Sequence, residues 1–129
     1  MKYPRYEYST EAELNIFEFE SIGPKGKIIK LVQYTEMNIK GYYNLAFGDL
    51  DVKTREINDG VITNNGDATK VLATVVSTVY AFTGKYPESY IFATGSSEAR
   101  TRLYRMGITN NLEELKNDFY VYGLKIDET

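Results

Sequence analysis

The 129-residue chain contains no cysteine, no histidine and no tryptophan, and only three prolines. Without cysteine there is no disulfide framework and no thiolate nucleophile. Without histidine, the commonest metal ligand and the one side chain that ordinarily titrates near neutral pH are both missing, so a histidine base and a zinc site are excluded. No segment approaches the roughly 20 apolar residues that a membrane span needs. Met1-Lys2-Tyr3-Pro4-Arg5-Tyr6-Glu7 carries no apolar stretch behind its positive charge, as a leader would. These absences predict a cytoplasmic protein with no membrane anchor. The net charge of −3 gives no overall attraction to nucleic acid, which is disfavoured as a partner unless a basic patch is local.

What is present is ordinary for a globular chain: 43% hydrophobic and 26% charged residues, in a length that buries one core and not two. A single domain over residues 1–129 is therefore expected. Twelve tyrosines and six phenylalanines suit half-buried strand faces whose hydroxyls stay wet, so a sheet with one solvated side is predicted.

Ile16 to Met37 reads as two strands around Gly23-Pro24-Lys25-Gly26, a hairpin signal. Tyr42 to Leu50 alternates as a third strand, and Arg55 to Thr63 adds a short fourth. Asp67 to Thr83 is rich in valine and threonine, which favours strand, yet its apolar residues recur at 71, 75, 79 and at 72, 76, 80, as helix requires. Seventeen residues is too long for a usual strand, so helix is predicted, with Asp67 as N-cap and Gly84, followed by Pro87, as the stop. Ser89 to Thr94 is a short strand. Glu98 to Met106 is a second helix ended by Gly107, Asn111 to Leu115 a helical turn, and Phe119 to Ile126 a last strand. The predicted fold is α+β, in the order ββββαβαβ, with a mixed, mostly antiparallel sheet of five to six strands and two main helices on one face.

Two stretches carry candidate chemistry. In Thr94-Gly95-Ser96-Ser97-Glu98-Ala99-Arg100-Thr101-Arg102-Leu103-Tyr104-Arg105, a glycine-serine turn opens a helix that holds three arginines. Backbone amides of Gly95, Ser96 and Ser97 and the helix dipole could hold an anion. Helical phase sets Arg100 on one flank, Arg102 and Arg105 on the other, and Ala99, Leu103 and Met106 between them as the buried stripe, so the arginines form no single clamp. The bland alternative is an N-cap followed by solvated flanks. The second stretch is Asn64-Asn65-Gly66-Asp67-Ala68, where small residues at a helix mouth would admit a ligand or simply make a turn. Asp49 and Asp51 lack a third fixed oxygen ligand, so no metal site is assigned. Tyr3, Tyr6 and Tyr8 form an aromatic run, but Glu7 and Glu11 oppose base stacking there.

Gly66-x-Ala68 at a helix start, the strand Tyr90 to Thr94, and a helix ending Leu103-Tyr104-x-x-Gly107 resemble the acyl-CoA-binding half of the GCN5-related N-acetyltransferase fold over Tyr42 to Ile108. The resemblance implies Gly66 and Ala68 as cofactor-binding residues and Tyr104 as general acid. Thr63 departs from the family's basic or glutamine residue, and the segment from tyrosine to glycine is one residue short. The Thr-Gly-Ser-Ser-x-x-Arg-Thr-Arg-Leu-Tyr run, with the preceding Asn-Gly-Asp-Ala-Thr-Lys-Val-Leu, also resembles a group of short uncharacterised bacterial proteins, which implies no activity.

Two readings follow. The first is a non-enzymatic interaction domain with no cofactor, using the Gly95–Ser97 turn with Arg100, Arg102 and Arg105 toward a protein partner or a small anionic ligand. The second is a diverged acyltransferase-like protein that binds an acyl-CoA. Whether any catalysis occurs stays open, and an exposed edge strand could pair two copies as a homodimer.

Overall fold

The structure, a computed structural model, describes residues 3–58, 63–93 and 98–120; for 98–101, 103 and 104 it describes the helix and not the side chains. The elements run β1 (Tyr8–Thr10), β2 (Ile16–Gly23), β3 (Gly26–Glu36), β4 (Tyr42–Asp51), β5 (Glu56–Ile57), α1 (Ala68–Lys85), β6 (Tyr90–Phe92), α2 (Glu98–Asn110) and α3 (Leu112–Asp118). The fold is α+β, as predicted. The sheet is ordered β1-β2-β3-β4-β5, all antiparallel, and β6 joins β4 in parallel.

The β2–β3 hairpin closes on Gly23 opposite Gly26, with Gly26 at φ +93° in the left-handed region that side chains avoid. Its register then sets one apolar face. Phe17 lies opposite Val32 and Val32 opposite Phe47, while Tyr34 faces Leu45. Helix α1 lies against this face, with Val71, Val75 and Phe82 in the same buried cluster and Phe82 stacked on Tyr34 at 4.2 Å.

The other side of α1 explains its ambiguous sequence. Val71 through Thr78 are all buried, because α2 packs on the side of α1 away from the sheet, with α3 tied to α1 through the Tyr80 hydroxyl, which donates to Asp118 Oδ2 at 2.7 Å. The stripe at 71, 75 and 79 meets the sheet, whereas Leu72 meets Gly107 of α2 and the Tyr80 ring meets Phe119 at 5.1 Å. Hydroxyls in this buried helix bond to the preceding turn: Thr74 to Lys70 O, Ser77 to Thr74 O, Thr78 to Val75 O. Its threonines therefore cost no unpaired donors.

Several boundaries differ from expectation, each for a local reason. Helix α1 passes through Gly84 and stops at Tyr86, the residue before Pro87, where the proline ring disfavours helical backbone. Helix α2 passes through Gly107, because that glycine is pressed against α1: a Cβ there would lie 3.3 Å from Leu72 Cδ2. The predicted fourth strand is seen at Glu56–Ile57, and residues 59–62 of its span lie outside the described residues. The predicted last strand lies outside them from residue 121 onward, and Phe119 and Tyr120 are not in a strand. Strand β1 was not predicted. Of the aromatic run, in which base stacking is disfavoured, Tyr6 is buried in the core and Tyr8 packs edge-on against Phe17 at 5.1 Å.

The face of the sheet away from α1 is partly apolar. Leu31 is buried there, on the side where Arg55 reaches back to Glu18 at 3.6 Å. Glu18, Leu31 and Gly48 stand in one cross-strand row. No helix among the described residues is long and apolar enough to cross a membrane.

Candidate functional site

Two places among the described residues bear on the predicted sites, the strap before α1 and the outer surface of α2. The strap, residues 63–67, crosses the end of the apolar sheet face and is fastened to it by three side-chain clusters. Lys30 and Asp49, opposite each other on β3 and β4, are both buried and form a direct ion pair. The Lys30 ammonium also donates to Thr63 O at 2.8 Å, and Thr63 N–H donates to Asp49 Oδ2 at 3.0 Å. One strap residue thus serves both ends of a buried charge pair, which burial alone would make costly.

The second cluster centres on Asn65, which is fully buried. Its Nδ2 donates to Ser21 Oγ at 3.2 Å and Gly26 O at 2.9 Å, and its Oδ1 accepts from Lys25 N–H at 2.7 Å. The strap's approach to the hairpin needs Gly23, since a Cβ there would lie 2.0 Å from Asn65 O.

The third cluster corrects the expected helix cap. Asp67 occupies the N-cap position of α1 but makes no side-chain cap bond. Its Oδ2 accepts instead from Tyr6 Oη at 2.5 Å and Ser21 Oγ at 2.6 Å. Tyr6 Oη in turn accepts from Ile22 N–H at 3.1 Å, and Tyr6 N–H donates to Thr74 Oγ1 at 2.8 Å. Lys70 Nζ stands 4.2 Å from the centre of the Tyr6 ring. Burial, and then the neighbouring Asp67 carboxylate, push the Tyr6 hydroxyl above its ordinary pKa, so it stays a donor at neutral pH.

Gly66 belongs to this strap and Ala68 directly follows it, so neither lies on an open loop. Gly66 has φ +76°, and a Cβ would lie 3.3 Å from the Pro24 ring, which accounts for its smallness without a ligand. Ala68 is the first residue of α1 and half-buried. Asp51 turns its carboxylate to the backbone N–H groups of Lys53 and Thr54, at 2.9 and 3.3 Å. Among the described residues no group of three acidic side chains gathers as metal ligands would.

On α2, Arg102, Arg105 and Met106 are exposed, and neither arginine forms an ion pair with a described residue. Met106, expected in the buried stripe, is 40% exposed, since α2 meets α1 through Gly107 instead. Arg100 and Tyr104 are on the same helix, with side chains outside the described residues, as are Gly95, Ser96 and Ser97 altogether. The strap clusters were missed in the sequence. Their signal was Lys30 within Ile28-Ile29-Lys30-Leu31-Val32 and Asp49 in phase with Leu45 and Phe47, charges standing at core positions.

The order β4, α1, β6, α2 sets two parallel neighbouring strands around a helix. Their ladder is closed over Tyr42–Asn44 against Tyr90–Phe92. A model of the Family of unknown function (DUF6934) matches residues 2–129. No curated protein and no solved structure matches the chain.

Proposed function

The chain belongs to that family, from which no activity carries over, and we propose on its own geometry that residues 1–129 form a single non-enzymatic binding domain of the cytoplasm. Its working surface is the outer side of α2, where Arg102 and Arg105 meet an anionic group on a protein partner or small ligand, with Gly95, Ser96, Ser97 and Arg100 at the start of that helix. The observation that supports this reading is a division of labour. The carboxylates of Asp49, buried, and Asp67, half-buried, are occupied by Lys30, Thr63, Tyr6 and Ser21, whereas Arg102 and Arg105 are exposed without a described counter-charge. Exposed arginines with no ion pair among the described residues are suited to charge-assisted recognition.

Replacing Arg102 and Arg105 together by glutamate tests it. Quantitative affinity capture with the wild-type chain, and NMR titration with inorganic pyrophosphate as a minimal anion, should both lose their signal in the double variant while its melting temperature holds. Undiminished binding by the double variant contradicts the reading.

A second reading, a diverged acyltransferase-like protein, is favoured by the parallel pairing of β4 with β6, strands that precede and follow α1 in the chain. It assigns acyl-CoA contact to Gly66 and Ala68 and proton donation to Tyr104. Calorimetry with acetyl-CoA decides it: no heat at millimolar cofactor removes it, and binding that Gly66→Trp abolishes supports it.

A further inference from the structure

We infer that β6 is a self-pairing edge, through which two copies of this chain form an antiparallel dimer with a continuous sheet. This surface is separate from the arginine face of α2. Among the described residues, β6 pairs with β4 alone. Its outward rings are open to solvent: Tyr90 is 53% and Phe92 42% exposed, both on the sheet face away from α1. Tyr42 stacks on Tyr90 at 4.8 Å and lies 5.8 Å from Phe92, so the rings are held in place before any partner arrives. Met37, whose N–H donates to Tyr42 O at 2.7 Å, stands beside these rings and is 44% exposed. Tyrosine, phenylalanine and methionine are the residues that interface cores favour over charged ones.

The pattern of β6 points to a second copy as the occupant. Ser89-Tyr90-Ile91-Phe92-Ala93 carries no charge and is nearly symmetric about Ile91. Antiparallel pairing about a twofold at Ile91 sets each Tyr90 opposite Phe92 of the second copy, and each Ile91 opposite itself. Both aromatic pairs then fall on the face that already carries Tyr42, giving a ring row across the dyad. No like charges oppose each other, and cross-strand aromatic pairs stabilise such ladders. A three-residue ladder is a small contact, so the rings of Tyr42, Tyr90 and Phe92 must supply most of the buried area.

Sedimentation equilibrium of the full chain, from low-micromolar to near-millimolar concentration, tests the inference. The wild type should move from monomer to dimer mass. Phe92→Lys and, separately, Tyr90→Lys should weaken dimerisation about tenfold or more, because each buries a charge opposite a ring. Val52→Lys, at an exposed apolar position on the β4–β5 turn, should leave it unchanged. A wild type that stays monomeric at every concentration overturns the inference, whether the β6 amides then prove protected by residues after 120 or open to solvent. So does a dimer that survives both lysine variants.

Discussion

The hydroxyl of Tyr6 donates to the carboxylate of Asp67 at 2.5 Å, joining the stretch before the first strand to the residue that opens α1. Ser21 of β2 donates to the same oxygen, so Asp67 works as a tether between helix and sheet where sequence pattern assigns it a cap. The two roles predict different mutational series. Asp67→Ser keeps a good cap residue but cannot reach Tyr6, so it should cost about 2 kcal/mol, close to Asp67→Ala, since both lose charge-assisted bonds. A capping role would leave Asp67→Ser within about 0.5 kcal/mol of wild type. Urea denaturation of the three proteins measures the difference.

The Lys30–Asp49 pair should respond asymmetrically. Lys30→Met leaves a carboxylate buried without its cation, and should destabilise by about 3–5 kcal/mol. Adding Asp49→Leu should restore part of that loss, because an apolar pair suits the surrounding core. Recovery stays partial, since Thr63 loses the partners of both its N–H and its C=O. Thermal melts of the single and double variants test this; a double variant worse than Lys30→Met contradicts it.

Tyr34 is one of the tyrosines that tie stability to alkaline pH. Its ring is buried on Phe82 and its hydroxyl donates to Thr78 Oγ1 at 2.9 Å, whose own proton goes to Val75 O. Burial pushes its pKa far above the ordinary value near 10, against the smaller opposite effect of the Thr78 bond. Below the unfolded value both states hold the proton and stability is flat in pH. Above it the unfolded chain ionises first, so folding should weaken by about 1.4 kcal/mol per pH unit from this residue. Tyr34→Phe should be about 1 kcal/mol less stable at neutral pH yet lose that share of the alkaline slope. An unchanged slope between pH 10 and 12, followed by urea denaturation, contradicts the account.

Gly23 is the third fixed point of the strap. Gly23→Ala drives a methyl into the Asn65 carbonyl, a backbone atom that cannot swing aside. It should cost about 1–3 kcal/mol. The same change at Gly84, in the last turn of α1 where nothing lies near the added Cβ, should be neutral or stabilising. Parallel melts of the two variants separate crowding from propensity.

Most of the strand and helix pattern was legible because burial imposes its period on the chain. Phe17 and Phe19, and Leu45 and Phe47, alternate in just the way a half-buried strand demands. The apolar doublets of α1 were legible as helix, and their doubling recorded the two layers that cover it, the sheet through Val71 and Val75 and α2 through Leu72. What did not show was long-range chemistry. Nothing local distinguishes Asp67 as tether from Asp67 as cap, because Tyr6 and Ser21 are brought to it only by the fold. Gly84 and Gly107 misled for a related reason: tertiary contact, of Tyr86 with the Tyr43 ring and Glu13 O and of Gly107 with Leu72, carries each helix past a residue that weakens it. Of the candidate site, the exposure of Arg102 and Arg105 followed from helical phase, whereas the buried stripe assigned to Met106 did not survive the way α2 leans on α1.

The account rests on buried polar groups holding the strap while the outer face of α2 does the binding. Tyr6→Phe and the Arg102→Glu/Arg105→Glu double variant, measured side by side for melting temperature and for capture of the same partners, test that separation most directly. The account predicts that Tyr6→Phe melts lower yet binds as wild type below its transition, and that the arginine variant melts as wild type yet does not bind. Binding lost in Tyr6→Phe and kept in the arginine variant would contradict it.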